Sequence, residues 1–260
     1  MTTFHKTYDE RYASENYRTT LSGYEVARYD ALQHAIPRWI APEQVSTVLD
    51  YGSGRGLFIP LWSELFPNAQ LHACDVSTVA LDQLTKAHAA LNVQTYPMPD
   101  FLGPKELHNA ADVVVSVEVL EHVADLDLYL SDIFQCLKPG GSFIWTTPCG
   151  NSGSIEHLYS LLTNNIGQSE TGERRWKWEE PTHLRRMKTS ELAIRLQAVG
   201  FEPPSYRLRS HLFSFLFTHT PLRRLPERYG VAMMKLDYKL FRALPNGASM
   251  IGCARKPQKP

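Results

Sequence analysis

Val48-Leu49-Asp50-Tyr51-Gly52-Ser53-Gly54-Arg55-Gly56-Leu57-Phe58 reads as a short buried strand that runs through a glycine loop into a helix. Val45, Val48 and Leu49 supply the apolar strand and Asp50 closes it. Gly52, Gly54 and Gly56 leave a turn without side-chain bulk, so a ligand can lie against bare backbone. The dinucleotide fingerprint wants glycines at the first, third and sixth places, and the sixth place counted from Gly52 is Leu57. That spacing argues against a dehydrogenase.

Three more strands follow at intervals suited to alternating strands and helices. Residues 70–76 form a short apolar run closed by Asp75, about twenty residues after the loop, where an acid can accept both ribose hydroxyls of an adenosine. Residues 111–117 are more apolar and lead into Glu118, Glu121 and His122. Residues 137–148 give a helix stop, a turn at Pro139-Gly140-Gly141 and another buried strand.

The acid before Gly52-x-Gly54-x-Gly56, the string Glu118-Val119-Leu120-Glu121-His122-Val123 and the later Leu137-Lys138-Pro139-Gly140-Gly141 together resemble class I S-adenosylmethionine-dependent methyltransferases. The Glu118–Val123 string and the later Leu137–Gly141 segment resemble small-molecule O-methyltransferases of that class, including those acting on ubiquinone precursors. It implies an α/β fold: a doubly wound, Rossmann-like, seven-stranded, mostly parallel sheet whose last strand, residues 248–255, is the antiparallel edge. It also implies S-adenosyl-L-methionine as cofactor, with the glycine loop beneath its amino acid end. The implied cofactor-binding residues are Asp50, Gly52, Ser53, Gly54, Gly56, Asp75, Val76, Asp100, Phe101, Val117 and Glu118. Asp100 is the match for the adenine amino group, with Met98 or Phe101 packing on the ring as the competing arrangement.

With 260 residues and 43% hydrophobic content, the chain can build one large α/β domain but not two full ones. Residues 1–40 read as two helices carrying Tyr8, Arg11, Tyr12, Tyr17, Tyr24 and Tyr29; the resemblance implies an N-terminal helical lid over the cofactor, and the alternative is an amphipathic helix that packs on the sheet. Residues 41–260 read as the methyltransferase domain, with a substrate cap inserted at about 149–188. In that cap Trp176 and Trp178, with Arg174, Arg175 and Lys177, either stack on a sugar or aromatic acceptor or anchor the cap itself. Residues 167–172 read as loop, 205–217 as a strand with an aromatic continuation, and 221–244 as basic helical material.

The net charge is zero, yet residues 173–260 hold 18 of the 27 Lys and Arg against 7 of the 27 Asp and Glu, a local excess of +11. Such a basic third suits an anionic acceptor, peripheral contact with a membrane surface, or simply a solvated helical face. Cys74, Cys136, Cys149 and Cys253 are scattered, and Met1-Thr2-Thr3-Phe4-His5-Lys6 lacks an apolar signal core, so a cytoplasmic protein with free thiols is expected. No run approaches a membrane span, and no nucleic-acid-binding module is in view. The expected partner is a small-molecule or glycan acceptor.

The motif common after the strand at 111–117 in enzymes that methylate exocyclic nitrogens is absent, its place taken by Ser116-Val117-Glu118-Val119-Leu120-Glu121-His122, which favours oxygen. His122, His183 and Glu118 are the catalytic candidates. In resembling enzymes a Glu-x-x-Glu-His segment and a later histidine hold a divalent metal, which makes Glu118, Glu121, His122 and His183 candidate ligands. In the metal-free alternative, His183 or His122 is the general base. The third possibility is a cofactor-binding protein without turnover.

Overall fold

The computed structural model describes residues 3–14, 19–170, 172–180 and 182–258; Tyr17 lies outside them, as do the side chains of residues 3–7 and of Asp100. In chain order the elements are α1 (Thr3–Ala13), α2 (Gly23–Ala35), β1 (Thr47–Tyr51), α3 (Ile59–Leu65), β2 (Gln70–Asp75), α4 (Thr78–Ala87) and β3 (Gln94–Pro97). There follow β4 (Ala111–Val117), α5 (Leu126–Cys136), β5 (Leu137–Pro148), α6 (Ile155–Leu162), β6 (Ile166–Gln168) and β7 (Arg174–Trp176). The chain ends through α7 (Thr189–Val199), β8 (Ser205–Arg209), α8 (Phe213–His219), α9 (Glu227–Phe241) and β9 (Ser249–Arg255).

Seven strands form one sheet in the order β3-β2-β1-β4-β5-β9-β8, with β1 to β5 mutually parallel. The chain winds outward from β1 to β3 and then crosses back to β4, so the order reverses between β1 and β4. In open α/β sheets a ligand crevice forms at that switch, beyond the carboxyl ends of the strands. Both sheet faces are covered, as parallel strands require. Leu130 and Ile133 of α5 with Leu192 and Leu196 of α7 pack on one face; Leu32 of α2, Ile59 and Trp62 of α3 and Tyr238 of α9 pack on the other.

The last strand is antiparallel, as expected, but it is not the edge. β9 lies between β5 and β8, and β8 holds the edge. Burial explains the order: β9 is buried at every residue but the last, whereas the outer half of β8 faces solvent. The aromatic stretch expected to continue that strand instead turns at Ser210 and forms α8. Asp237 of α9 drives this, its carboxylate accepting from the amides of Phe213 at 2.6 Å and Ser214 at 3.2 Å. It satisfies two helix-start donors from 24 residues away in sequence. Residues 166–168, partly expected as loop, pair with residues 174–176 in a two-stranded hairpin inside the cap.

Of the two N-terminal helices, α2 is part of the sheet packing, burying Ala27, Ala31, Leu32 and Ala35 behind a Ser22–Glu25 capping box. α1 stands over the switch point, against α4, with the Ser77 hydroxyl donating to Asp9 at 2.6 Å, and α2 reaches the same place through Glu25 and Arg28. The four cysteines are free and buried. Among the described residues no helix is long and apolar enough to cross a membrane.

Candidate active site

The glycine loop leaves β1 in a conformation that ordinary side chains resist: φ is +85° at Gly52, +53° at Gly54 and +80° at Gly56. A Cβ at Gly52 would lie 2.6 Å from Val119, and one at Gly54 would lie 2.6 Å from the Tyr12 hydroxyl. Asp75 ties the loop to β2, accepting from the Gly54 amide at 2.8 Å and the Ser77 amide at 2.9 Å. Burial pushes the Asp75 carboxyl up to about 6, although those two amides favour its charged form.

A cavity of about 310 Å³ opens here. Its near end is Gly52, Ser53, Gly54, Asp75, Val76 and Phe101, and its far end is Val117, Glu118, Glu121, His122 and His183. Tyr8, Arg11 and Tyr12 of α1 line it too, with Tyr8 edge-on to Phe101 at 6.3 Å between ring centres. Two members of the sequence-derived set lie elsewhere. Asp50 is buried and accepts from the Trp62 indole at 2.8 Å, while Gly56 faces Leu84 of α4. Asp100 has its backbone in the turn Pro99–Phe101 beside the cavity.

The far end is assembled from two segments distant in sequence. Leu184 donates its amide to the Glu121 carbonyl at 2.7 Å. Arg185, 4% exposed, donates to the carbonyls of Leu120, Val123 and Ala124. This fastens residues 182–185 of the cap onto the loop after β4. His183 thereby faces His122, with ring centres 4.8 Å apart and the planes nearly perpendicular.

The chemistry of each group follows from its partners. His122 donates through Nδ1 to the Thr182 carbonyl at 3.0 Å, which leaves Nε2 with its lone pair. Burial and the neighbouring His183 push His122 down to about 4, so it is neutral at pH 7. His183 moves the other way: burial would lower it, but Glu179, whose Oε1 is 3.6 Å from Nδ1, and Glu121 hold it above its ordinary value. Glu121 is fully buried, accepts from the Thr147 hydroxyl at 3.0 Å, and has no partner at Oε1. Burial and then Glu118 raise its carboxyl to about 8. Ligand atoms of Glu121, His122 and His183 all lie within 4.8 Å of one another.

Glu118 is outside that trio. It sits at φ +55°, accepts from the Thr146 hydroxyl at 2.8 Å, and pairs at 2.7 Å with Arg28 of α2. A non-glycine residue held at positive φ is a local strain that the strand end and its two partners enforce.

The sequence alone did not single out Arg28, Thr147, Glu179 or Glu180. Arg11 of α1 pairs with Glu180 of the cap at 2.6 Å, joining the two covers across the cavity. The Trp-Arg cluster of the cap lines no part of it. Trp176 is fully buried with the Arg186 guanidinium 5.0 Å over its ring, Arg174 donates to the Gly150 carbonyl, and Arg175 to the carbonyls of Glu179 and Glu180.

Comparisons with known proteins accord with this geometry. Residues 24–205 match the family model described as Methyltransferase domain. The chain is 38% identical over 108 residues to a ubiquinone biosynthesis O-methyltransferase of Paramagnetospirillum magneticum, covering 41% of this chain and 42% of that protein. It is 28% identical over 175 residues to a malonyl-[acyl-carrier protein] O-methyltransferase of Chlorobium phaeovibrioides, covering 64% and 66%. The chain thus spans less than half the length of the first of these relatives. Among solved structures, the [4+2]-cyclase SpnF superposes with a TM-score of 0.61 at 21% identity, covering 88% of this chain and 82% of that one.

The buried Glu121 makes stability depend on pH. Its folded pKa lies above the unfolded value, so the native state keeps a proton that the unfolded chain releases. Stability from this source is full below about pH 4.5 and falls as pH rises toward 8. His122 has the opposite sign, its contribution being lost as pH falls from 6.5 toward 4. Between pH 7 and 8, Glu121 should therefore steepen the loss by up to about 1.4 kcal/mol per pH unit. Urea unfolding across that interval should show the wild type losing stability faster than Glu121→Gln. Equal slopes would place the titration elsewhere.

Proposed function

Because the chain belongs to the methyltransferase-domain family, we propose that it transfers the methyl group of S-adenosyl-L-methionine to an oxygen of a small hydroxylated acceptor. One observation carries this reading: the glycine loop and Asp75 share a single cavity with the imidazoles of His122 and His183. Methyl transfer needs a cofactor held in line with an acceptor oxygen about 3 Å away, and a base for the proton. The bound cofactor supplies the electrophilic methyl on its sulfonium.

The chain's own residues supply the rest. The bare backbone of Gly52 to Gly54 lets the amino acid end approach closely, and the Asp75 carboxylate, already fixed by two amides, accepts the ribose hydroxyls. Val76 and Phe101, which line the cavity, would flank the adenine, with Asp100 nearby in the chain, while Val117 and Glu118 would border the methionine end. α1 serves as the lid and residues 149–188 as the acceptor cap.

Near pH 7, His183 is matched to the task of base better than His122, whose conjugate acid is too strong. Glu179, whose carboxylate lies 3.6 Å from Nδ1 of His183, then stabilises the imidazolium that forms there. A second reading is favoured by the unpartnered Oε1 of Glu121 and by the Nε2 lone pair that His122 keeps when its Nδ1 donates to Thr182. With His183 they fit the mixed oxygen and nitrogen shell of a divalent metal, which lowers the pKa of a bound hydroxyl.

The names of the ubiquinone and malonyl relatives support oxygen as the acceptor atom. A sugar acceptor stacked on Trp176 loses its support, since that ring is internal to the cap. A phenolic or quinone-precursor acceptor would lie at the far end, beside His122 and His183.

Two experiments test the assignment. Calorimetric titration of Asp75→Ala with S-adenosylmethionine should show a loss of affinity of roughly tenfold or more, since removing hydrogen bonds to a charged group costs about 1.5–3 kcal/mol. Wild-type affinity would remove Asp75 from the cofactor site. In an acceptor screen with labelled cofactor, His183→Ala should lose about 10²-fold in turnover. A chelator that abolishes wild-type turnover, restored by Mg²⁺ or Mn²⁺, would select the metal-assisted version; indifference to it would select the metal-free base. Cofactor binding without transfer to any acceptor would contradict the reading.

A further inference from the structure

Away from the cavity, α6 turns its side chains outward. Leu158, Leu161 and Leu162 are 48%, 60% and 86% exposed, while Ser160 is buried. Leucines so exposed on a helix that belongs to the cap hold nothing in the fold together.

They adjoin an aromatic seam. The Tyr159 ring lies 5.4 Å from Phe215 and 5.5 Å from His219 of α8, and the half-exposed Trp178 lies 5.8 Å from His219. The seam continues directly into a second apolar segment. Thr220 follows α8 and its hydroxyl accepts from the Leu222 amide at 3.2 Å, capping the turn Pro221–Arg224. Every residue from 221 to 229 is exposed, including Leu222, Leu225, Arg223, Arg224 and Arg228. The single acid between residues 212 and 229 is Glu227, and it accepts from the Gly23 amide at 2.6 Å.

We propose that this face docks on a bilayer containing anionic phospholipid. The leucines of α6 and of the turn enter the boundary between headgroups and acyl chains, Trp178 and Tyr159 sit at headgroup depth, and Arg223, Arg224 and Arg228 meet the phosphates. Exposed leucines, amphipathic aromatic rings and three arginines against the single acid Glu227 form the combination that interfacial binding uses. A protein partner would explain the leucines, but arginines interleaved with them match a polyanionic sheet of lipid headgroups better. The inference does not depend on the chemistry in the cavity.

Sedimentation of the full chain with vesicles tests it. The chain should pellet with vesicles made equally of phosphatidylcholine and phosphatidylglycerol, but not with pure phosphatidylcholine, and less at high salt. Partition should fall roughly fivefold for each arginine removed in Arg223→Gln and Arg224→Gln, since each is worth about one kcal/mol at an anionic surface. The double variant Leu161→Ser, Leu162→Ser should fall at least as far while keeping the wild-type melting temperature. No pelleting of the wild type with anionic vesicles would overturn the proposal. So would pelleting indifferent to both sets of variants, or concentration-dependent self-association abolished by the serines in a chain that ignores vesicles.

Discussion

The site depends on how Arg185 is satisfied. A buried guanidinium has five donors to place, and this one directs them mainly at the carbonyls of Leu120, Val123 and Ala124 in the loop after β4. A loop carrying Glu121 and His122 would otherwise expose those carbonyls to a half-dry cleft, where each unmet acceptor costs about 1–3 kcal/mol. Because Arg185 is two residues from His183, the same contacts that fix the loop fix the second imidazole opposite the first. The hydrogen bond from the Leu184 amide to Glu121 sets the register of that pairing. The segment that carries Glu180 and His183 therefore forms one wall of the cavity.

Three buried carboxyls near the carboxyl end of the sheet show how partners divide structure from chemistry. Asp50, raised by burial to about 7, is answered by the Trp62 indole and takes no part in the cavity. Asp75 is answered by backbone amides that hold it in place and leave it facing the space where a ligand would lie. Glu121 is answered only at one oxygen, by Thr147. The unmet oxygen of Glu121 belongs to a residue that lines the cavity, and a molecule or ion bound there would complete its set.

What could be read from the sequence was local in origin. The β1 strand, its glycine loop and the acid of β2 are each specified within a few residues, and the sheet places them as read. The strands ending at Glu118 and Pro148 were equally legible from their apolar runs. The rest depends on partners far along the chain. Nothing near Phe213 announces that Asp237 will cap a helix there, and nothing near Trp176 announces that Arg186 will cover its ring. Arg28 escaped notice because an arginine on an amphipathic helix reads as solvated, whereas here it is buried against Glu118. Asp50 and Gly56 were read as ligand contacts from their place in the motif. Packing against Trp62 and Leu84 accounts for both.

One cavity would hold the cofactor at the glycine loop and present its reactive end to His122 and His183. A crystal structure of the chain grown with S-adenosylhomocysteine tests it most directly. The account predicts the ribose hydroxyls on Asp75, the amino acid end over Gly52 to Gly54, and the sulfur turned toward the two imidazoles. A nucleoside bound elsewhere, or a sulfur facing away from His122 and His183, would contradict it.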